Sequence, residues 1–216
     1  MHFQSTLFAS DATTPAPLRP DRTWLSSGTE HQSAAWVDVQ RGWLGDPDGV
    51  FATMAEEVPW HAERRQMYER LVHVPRLLHT YGIGATLPHP ALTEAMSALN
   101  EHYLPELGEP FVTAGCCFYR DGQDSVAWHG DTVGRGRTHD TMIAIVSLGD
   151  PRRLALRPRE GVVPADGVGG SLSLTLGHGD LVVMGGSCQR TWEHAVPKQA
   201  QAGPRISVQF RARNVF

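Results

Sequence analysis

The residues in this chain best suited to chemistry are Ala127-Trp128-His129-Gly130-Asp131. His129 and Asp131 are two apart, and on a β-strand that spacing points both side chains to one face. An imidazole and a carboxylate so placed are two ligands of a facial metal triad. The third should be a second histidine on a strand brought alongside. His194, in Thr191-Trp192-Glu193-His194-Ala195-Val196-Pro197, is the candidate. Two histidines and one carboxylate leave coordination positions open, the ligand set of non-haem Fe(II) oxygenation.

The pattern of histidine, any residue, acid occurs three times, at His61/Glu63, His129/Asp131 and His178/Asp180. His61/Glu63 precedes the strand-rich half. Asp180 lies only 14 residues before His194, room for little more than one hairpin. Asp131 lies 63 residues before His194, enough for several strands to wind round and return. Gly177-His178-Gly179-Asp180 also reads as a turn between two apolar runs. The middle pair is therefore selected.

The tail adds cations. Arg205-Ile206-Ser207-Val208-Gln209-Phe210-Arg211 alternates strictly and predicts a half-buried strand. Ile206, Val208 and Phe210 take one face, and Arg205, Ser207, Gln209 and Arg211 the other. Two arginines facing a barrel interior need anions to pair with. A dicarboxylate such as 2-oxoglutarate offers two, and the guanidinium fork matches carboxylate geometry. An edge strand with its arginine face in water is the alternative.

Taken together, four segments resemble the AlkB-type 2-oxoglutarate- and Fe(II)-dependent dioxygenases. They are Phe118 to Asp131, Gly179 to Gly186, Gln189 to Lys198 and Pro204 to Arg211, with a weaker extension over Pro75 to Gly82. The resemblance covers roughly the last half of the chain. It implies that His129, Asp131 and His194 hold Fe(II), and that 2-oxoglutarate and O2 are cosubstrates. It implies that Arg205 pairs with the distal carboxylate, that Arg211 lies near the metal-bound end, and that Tyr119 hydrogen-bonds the cosubstrate. It further implies oxidative demethylation of N-alkylated bases in DNA, releasing formaldehyde, succinate and carbon dioxide. Two positions depart from the family pattern. Cys117 stands two residues before Tyr119, where asparagine is usual, and Ser207, kept here among the cosubstrate-binding residues, stands where asparagine is common. DNA-repair members often carry an acidic pair just after the HxD motif; here Thr132-Val133-Gly134-Arg135-Gly136-Arg137 follows, and Arg135 and Arg137 could touch a phosphate.

A base must leave its stack to be demethylated and is then held by aromatic and apolar side chains. Trp60, Tyr68, Tyr81 and Trp128 are candidates, with Arg64, Arg65, Arg70 and Arg76 for phosphates. The expected substrate is single-stranded or locally opened alkylated DNA. RNA, a protein side chain or a small molecule would suit the same chemistry, and a non-catalytic binding module is a further alternative.

The elements that must position these residues follow from the rest of the sequence. At 216 residues the chain suits one barrel-sized domain. Hydrophobic content of 41% is ordinary for a globular protein. A net charge of −4 means that any nucleic-acid contact is a local basic patch. Lys198 is the sole lysine, which excludes most lysine-based catalysis. Cys116, Cys117 and Cys188 lack zinc spacing and read as reduced core residues of a cytoplasmic protein. The N-terminus lacks the pattern of a secretory signal, no stretch approaches a membrane span, and a monomer is expected. Residues 1 to about 30 read as an irregular lead-in tied down by Leu7, Phe8 and Trp24. Residues 1–110 are expected to supply an extension, two helices and a recognition lid between Trp60 and Tyr81. One helix is capped near Asp46-Pro47, and the other opens at His89-Pro90 and runs to about Tyr103. Residues 111–216 carry many short strands with Gly-rich turns. They predict a mainly β core with flanking helices, a double-sheet jelly roll or double-stranded β-helix.

Overall fold

A computed structural model of the protein describes residues 13–30, 32–67, 70–131 and 134–215, without the side chains of 64–73. Tyr68, Leu7, Phe8, Thr132 and Val133 lie outside the described residues. The strands run β1 Asp21–Ser26, β2 Ala35–Gln40, β3 His61–Met67, β4 Arg70–Tyr81, β5 Thr113–Tyr119, β6 Val126–His129, β7 Ile143–Gly149, β8 Arg152–Pro158, β9 Leu172–Leu176, β10 Asp180–Gly186, β11 Trp192–Val196 and β12 Arg205–Arg211. Helix α1 spans Pro47–Glu57 and α2 Pro90–Leu107.

The strands form two antiparallel sheets. The larger runs β1-β2-β10-β7-β12-β5-β4-β3 and the smaller β6-β11-β8-β9. At the centre, β10-β7-β12-β5 faces the smaller sheet in the arrangement of a jelly roll. The first half of the chain extends the larger sheet at both edges, β1 and β2 beside β10 and the β3–β4 hairpin beside β5.

Period-two alternation divides the larger sheet's two faces. Ile206, Val208 and Phe210 of β12, with Ala144, Val146 and Leu148 of β7, pack under Val50 and Met54 of α1 and Leu92, Ala95 and Leu99 of α2. Ile143, Ile145, Val182 and Met184 point the other way, against Leu154, Leu156, Leu176 and Trp192 of the smaller sheet. The functional residues lie in this second layer.

Both helices begin where their caps dictate. The Asp46 carboxylate accepts from the Gly49 amide at 3.2 Å, and His89 Nδ1 accepts from the Ala91 amide at 3.2 Å. Helix α2 runs a turn beyond Tyr103, through Pro105, to Gly108 at φ 77°. So near the C-terminus Pro105 forfeits a single intrahelical bond, and the glycine supplies the left-handed stop. The N-terminal lead-in is not irregular throughout. Asp21–Ser26 is a strand because β2 offers it an antiparallel edge, Asp21 opposite Val39 and Trp24 opposite Trp36. Trp24 does not anchor it in the core, since its side chain is half exposed. No helix among the described residues is long and apolar enough to cross a membrane.

Candidate metal centre and cosubstrate pocket

Strand β6 pairs antiparallel with β11, and His129 stands directly opposite His194. Directly opposed residues share a face with Cβ atoms about 5 Å apart. The two imidazole rings are accordingly 4.2 Å apart between centroids. Strand β6 ends at His129, two residues earlier than its sequence suggests. The next residue, Gly130, is packed so closely that a Cβ there would meet the Gln189 carbonyl oxygen at 2.5 Å. Asp131 then turns inward. Its Oδ1 is 3.5 Å from His129 Nε2, and one ligand atom each from His129, Asp131 and His194 lies within 4.8 Å of the others.

Neighbouring groups fix each ligand. His129 Nδ1 is 2.9 Å from the Ala127 carbonyl, which sets the tautomer and leaves Nε2 for a metal. Asp131 Oδ2 accepts from Arg211 Nε at 3.1 Å and Nη2 at 2.9 Å, leaving Oδ1 free. The Asp131 amide donates to Gln189 Oε1 at 3.0 Å. Burial pushes the Asp131 pKa up, but Arg211 and the two histidines overcome it and hold it at about 2. Burial, with His129 beside it, pulls His194 down to about 3. Near neutral pH Asp131 is therefore a carboxylate and His194 a neutral imidazole, the states a divalent metal binds.

The pocket continues along the inner face of β12. Arg205, Ser207, Gln209 and Arg211 lie opposite Tyr119, Cys117, Gly115 and Thr113 of β5. They lie opposite Gly149, Ser147, Ile145 and Ile143 of β7. Arg211 marks the metal end and Arg205 the far end. Arg205 is 3% exposed, donates to Ser147 Oγ at 3.1 Å, and lies over the Tyr119 ring at 5.0 Å. Among the described residues no carboxylate pairs with it. Burial pulls its pKa down. A buried guanidinium without an anion is the observation an acidic ligand would satisfy. Burial pushes the Tyr119 phenol up to about 12, with Cys117 adding and Arg205 and Arg76 opposing, so it stays protonated. These residues fit Fe(II) and a dicarboxylate cosubstrate.

The other candidates are placed as follows. Arg76 faces the same layer and donates to the Ser125 carbonyl at 3.3 Å, so it sits at the Tyr119 end rather than on an outer phosphate surface. Trp60 and Tyr81 are not brought to the metal. Both pack against the helix-side core, Trp60 at 5.4 Å from the Phe118 ring and bonded through Nε1 to the Met54 carbonyl at 3.0 Å. Tyr81 pairs with Ala114, whose side chain faces the helices, so it lies on the wrong face of the larger sheet. Trp128 alternates away from His129. It is 38% exposed on the outside of the smaller sheet, with the Arg157 guanidinium 4.4 Å over its ring. His178/Asp180 serves its turn. His178 Nδ1 accepts from the Gly149 amide at 2.8 Å, and Asp180 accepts from the amides of Gly42 at 2.9 Å and Gly177 at 2.8 Å.

Sequence reasoning missed three residues. Arg152 is 1% exposed and donates to the carbonyls of Asp121, Asp124 and Pro197 at 2.8–3.0 Å, its guanidinium 5.5 Å from the Tyr119 ring centroid. It shares its phase with the inward Leu154 and Leu156, the signal that could have found it. Gln189 holds the Asp131 amide from the single helical turn Cys188–Thr191. Gln209 fills the middle of the pocket, and only its phase with Arg205 and Arg211 pointed there.

The family model described as "2OG-Fe(II) oxygenase superfamily" matches residues 48–211. Alpha-ketoglutarate-dependent dioxygenase alkB homolog 3 of Bos taurus is 29% identical over 184 residues, covering 78% of this chain and 62% of that protein. DNA oxidative demethylase ALKBH2 of Homo sapiens is 27% identical over 217 residues, covering 89% and 82%. The Arabidopsis thaliana ALKBH2 is 36% identical over 140 residues, covering 56% and 43%. The chain spans 60–63% of the length of the alkB homolog 3 relatives from rat and human. The superfamily uses Fe(II), 2-oxoglutarate and O2, and the trio with its adjoining buried arginine suits them. The chain belongs to the 2OG-Fe(II) oxygenase superfamily, and its similarity within it is to proteins of the AlkB type.

Proposed function

We propose that the protein oxidatively demethylates N-alkylated bases in single-stranded or locally opened DNA, as a monomer in the cytoplasm. The observation that carries the chemistry is the juxtaposition of His129, Asp131 and His194 with Arg205, which is buried and has no carboxylate partner among the described residues. Likeness to proteins named DNA oxidative demethylase supports the substrate class. Three free, buried cysteines suit a reducing compartment.

When bound, Fe(II) with 2-oxoglutarate and O2 supplies the oxidising power that hydroxylates an N-methyl carbon, which then leaves as formaldehyde. The chain's own residues do the holding. His129, Asp131 and His194 bind the metal. Arg205 and Tyr119 grip the distal carboxylate of 2-oxoglutarate, and Ser207 lines its length. Arg211 fixes Asp131 and adds positive charge at the metal end of the pocket. The buried walls, Ile143 and Ile145 among them, exclude water from that end. His129 has a side chain 39% exposed, so the base enters on its side. Arg135 is paired with Glu109 at 2.7 Å, which leaves the exposed Arg137 as the better phosphate contact next to Asp131. Arg64, Arg65 and Arg70 lie on the β3–β4 hairpin, with their side chains outside the described ones.

The test is succinate release with methylated and etheno-modified oligonucleotides, accompanied by formaldehyde from the methylated and glyoxal from the etheno-modified ones, across a salt series. Demethylation should exceed the no-substrate background, and affinity should fall steeply between low and physiological salt. Consumption of 2-oxoglutarate without formaldehyde or glyoxal from any DNA or RNA oligonucleotide would transfer the assignment to protein or small-molecule substrates, a reading favoured by the missing acidic pair after Asp131.

A further inference from the structure

We infer that Gln209 is the positioning residue of the cosubstrate pocket, its one side-chain amide serving in place of amides at Cys117 and Ser207. The inference rests on the placement of the distal carboxylate at Arg205 proposed above.

The geometry begins with space. Gln209 stands opposite Gly115, and a Cβ on Gly115 would meet Gln209 Oε1 at 3.2 Å and Arg211 Nη1 at 2.5 Å. A residue without a side chain on β5 thus makes room for a long one on β12. The amide fills the gap beside the two shorter side chains. Its Nε2 is 2.6 Å from Ser207 Oγ and 3.3 Å from the Ser207 carbonyl oxygen, and its Oε1 is 3.9 Å from Cys117 Sγ. A carbonyl oxygen only accepts, so the atom facing Ser207 is the nitrogen and the amide has one orientation.

Donor accounting then runs toward Arg205. The Ser207 hydroxyl has one hydrogen and accepts from Gln209. That hydrogen remains for the next groups along the same face, where Arg205 stands opposite Tyr119 with its guanidinium 5.0 Å over the ring. A carboxylate seated at Arg205 then meets a Ser207 hydroxyl whose acceptor side Gln209 already occupies. Gln209 touches neither the reacting atoms nor the distal carboxylate. It acts through Ser207.

The experiment measures 2-oxoglutarate binding by calorimetry to protein loaded with Mn(II), which avoids turnover. Gln209→Met keeps the volume beside Gly115 and removes the amide. It should weaken 2-oxoglutarate about tenfold and leave Mn(II) affinity and the urea midpoint unchanged. Adding Cys117→Asn to it should restore most of the loss, which a merely structural role would not allow. Arg205→Ala serves as the control on the pocket itself. A Gln209→Met affinity within twofold of wild type, while Arg205→Ala loses binding, overturns the positioning role alone. Unchanged affinity in Arg205→Ala overturns the distal-carboxylate placement and the inference with it.

Discussion

Strand β12 has two buried faces, and they are covered in different ways. Ile206, Val208 and Phe210 meet an apolar layer under two helices. Arg205, Ser207, Gln209 and Arg211 are covered by the second sheet, yet they bring two guanidiniums, a hydroxyl and an amide into that layer. Burying apolar surface stabilises the fold, whereas burying an unpaired cation opposes it. The inner face therefore makes sense as a prepared binding surface whose missing anion arrives with the ligand. One strand carries stability on one side and recognition on the other.

Substitutions can break that division. The largest loss of stability should come from Phe210→Ala on the helix side. Phe210 is fully buried, and the substitution should cost about 3–5 kcal/mol in urea unfolding. Arg205→Ala on the inner side should do the reverse. It should weaken 2-oxoglutarate by a factor of about 100, roughly 3 kcal/mol, without lowering the unfolding midpoint. A large drop in stability with unaltered cosubstrate affinity would show that the inner face is structural too. Trp60→Ala sharpens the comparison at the sheet's edge. Trp60 is part-buried on the helix side, so the substitution should cost about 2 kcal/mol of stability. It should not lower demethylation beyond 2-oxoglutarate turnover, and a selective loss of demethylation would return Trp60 to the substrate site.

The division also explains what the sequence could disclose. The alternation from Arg205 to Arg211 is local and survives into the structure because the period of a strand is two; the His129/Asp131 pair survives by another route, since β6 ends at His129 and the chain turns Asp131 inward past Gly130. The partners of the hairpin are not local. Which face Trp60 and Tyr81 take depends on the register of β4 against β5, and a one-residue shift reverses every side chain. Arg76 and Tyr81 are an odd number of residues apart, so one strand could not offer both to one site; that conflict was legible and pointed to two faces. Strand β1 was hidden for a related reason. Its polar sequence becomes a strand only because β2 presents an open edge. Gln209 looked like one more polar residue, since its room comes from Gly115, distant in sequence.

The central claim is that His129, Asp131 and His194 form the metal site, and metal binding tests it most directly. Calorimetric titration with Mn(II), or with Fe(II) under anaerobic conditions, should give one site in the wild type and in His178→Ala, whose imidazole only accepts from the Gly149 amide and faces Asp48. His129→Ala should keep the fold and lose that site, and with it 2-oxoglutarate turnover. Wild-type metal affinity in His129→Ala, or its loss in His178→Ala instead, would contradict the account.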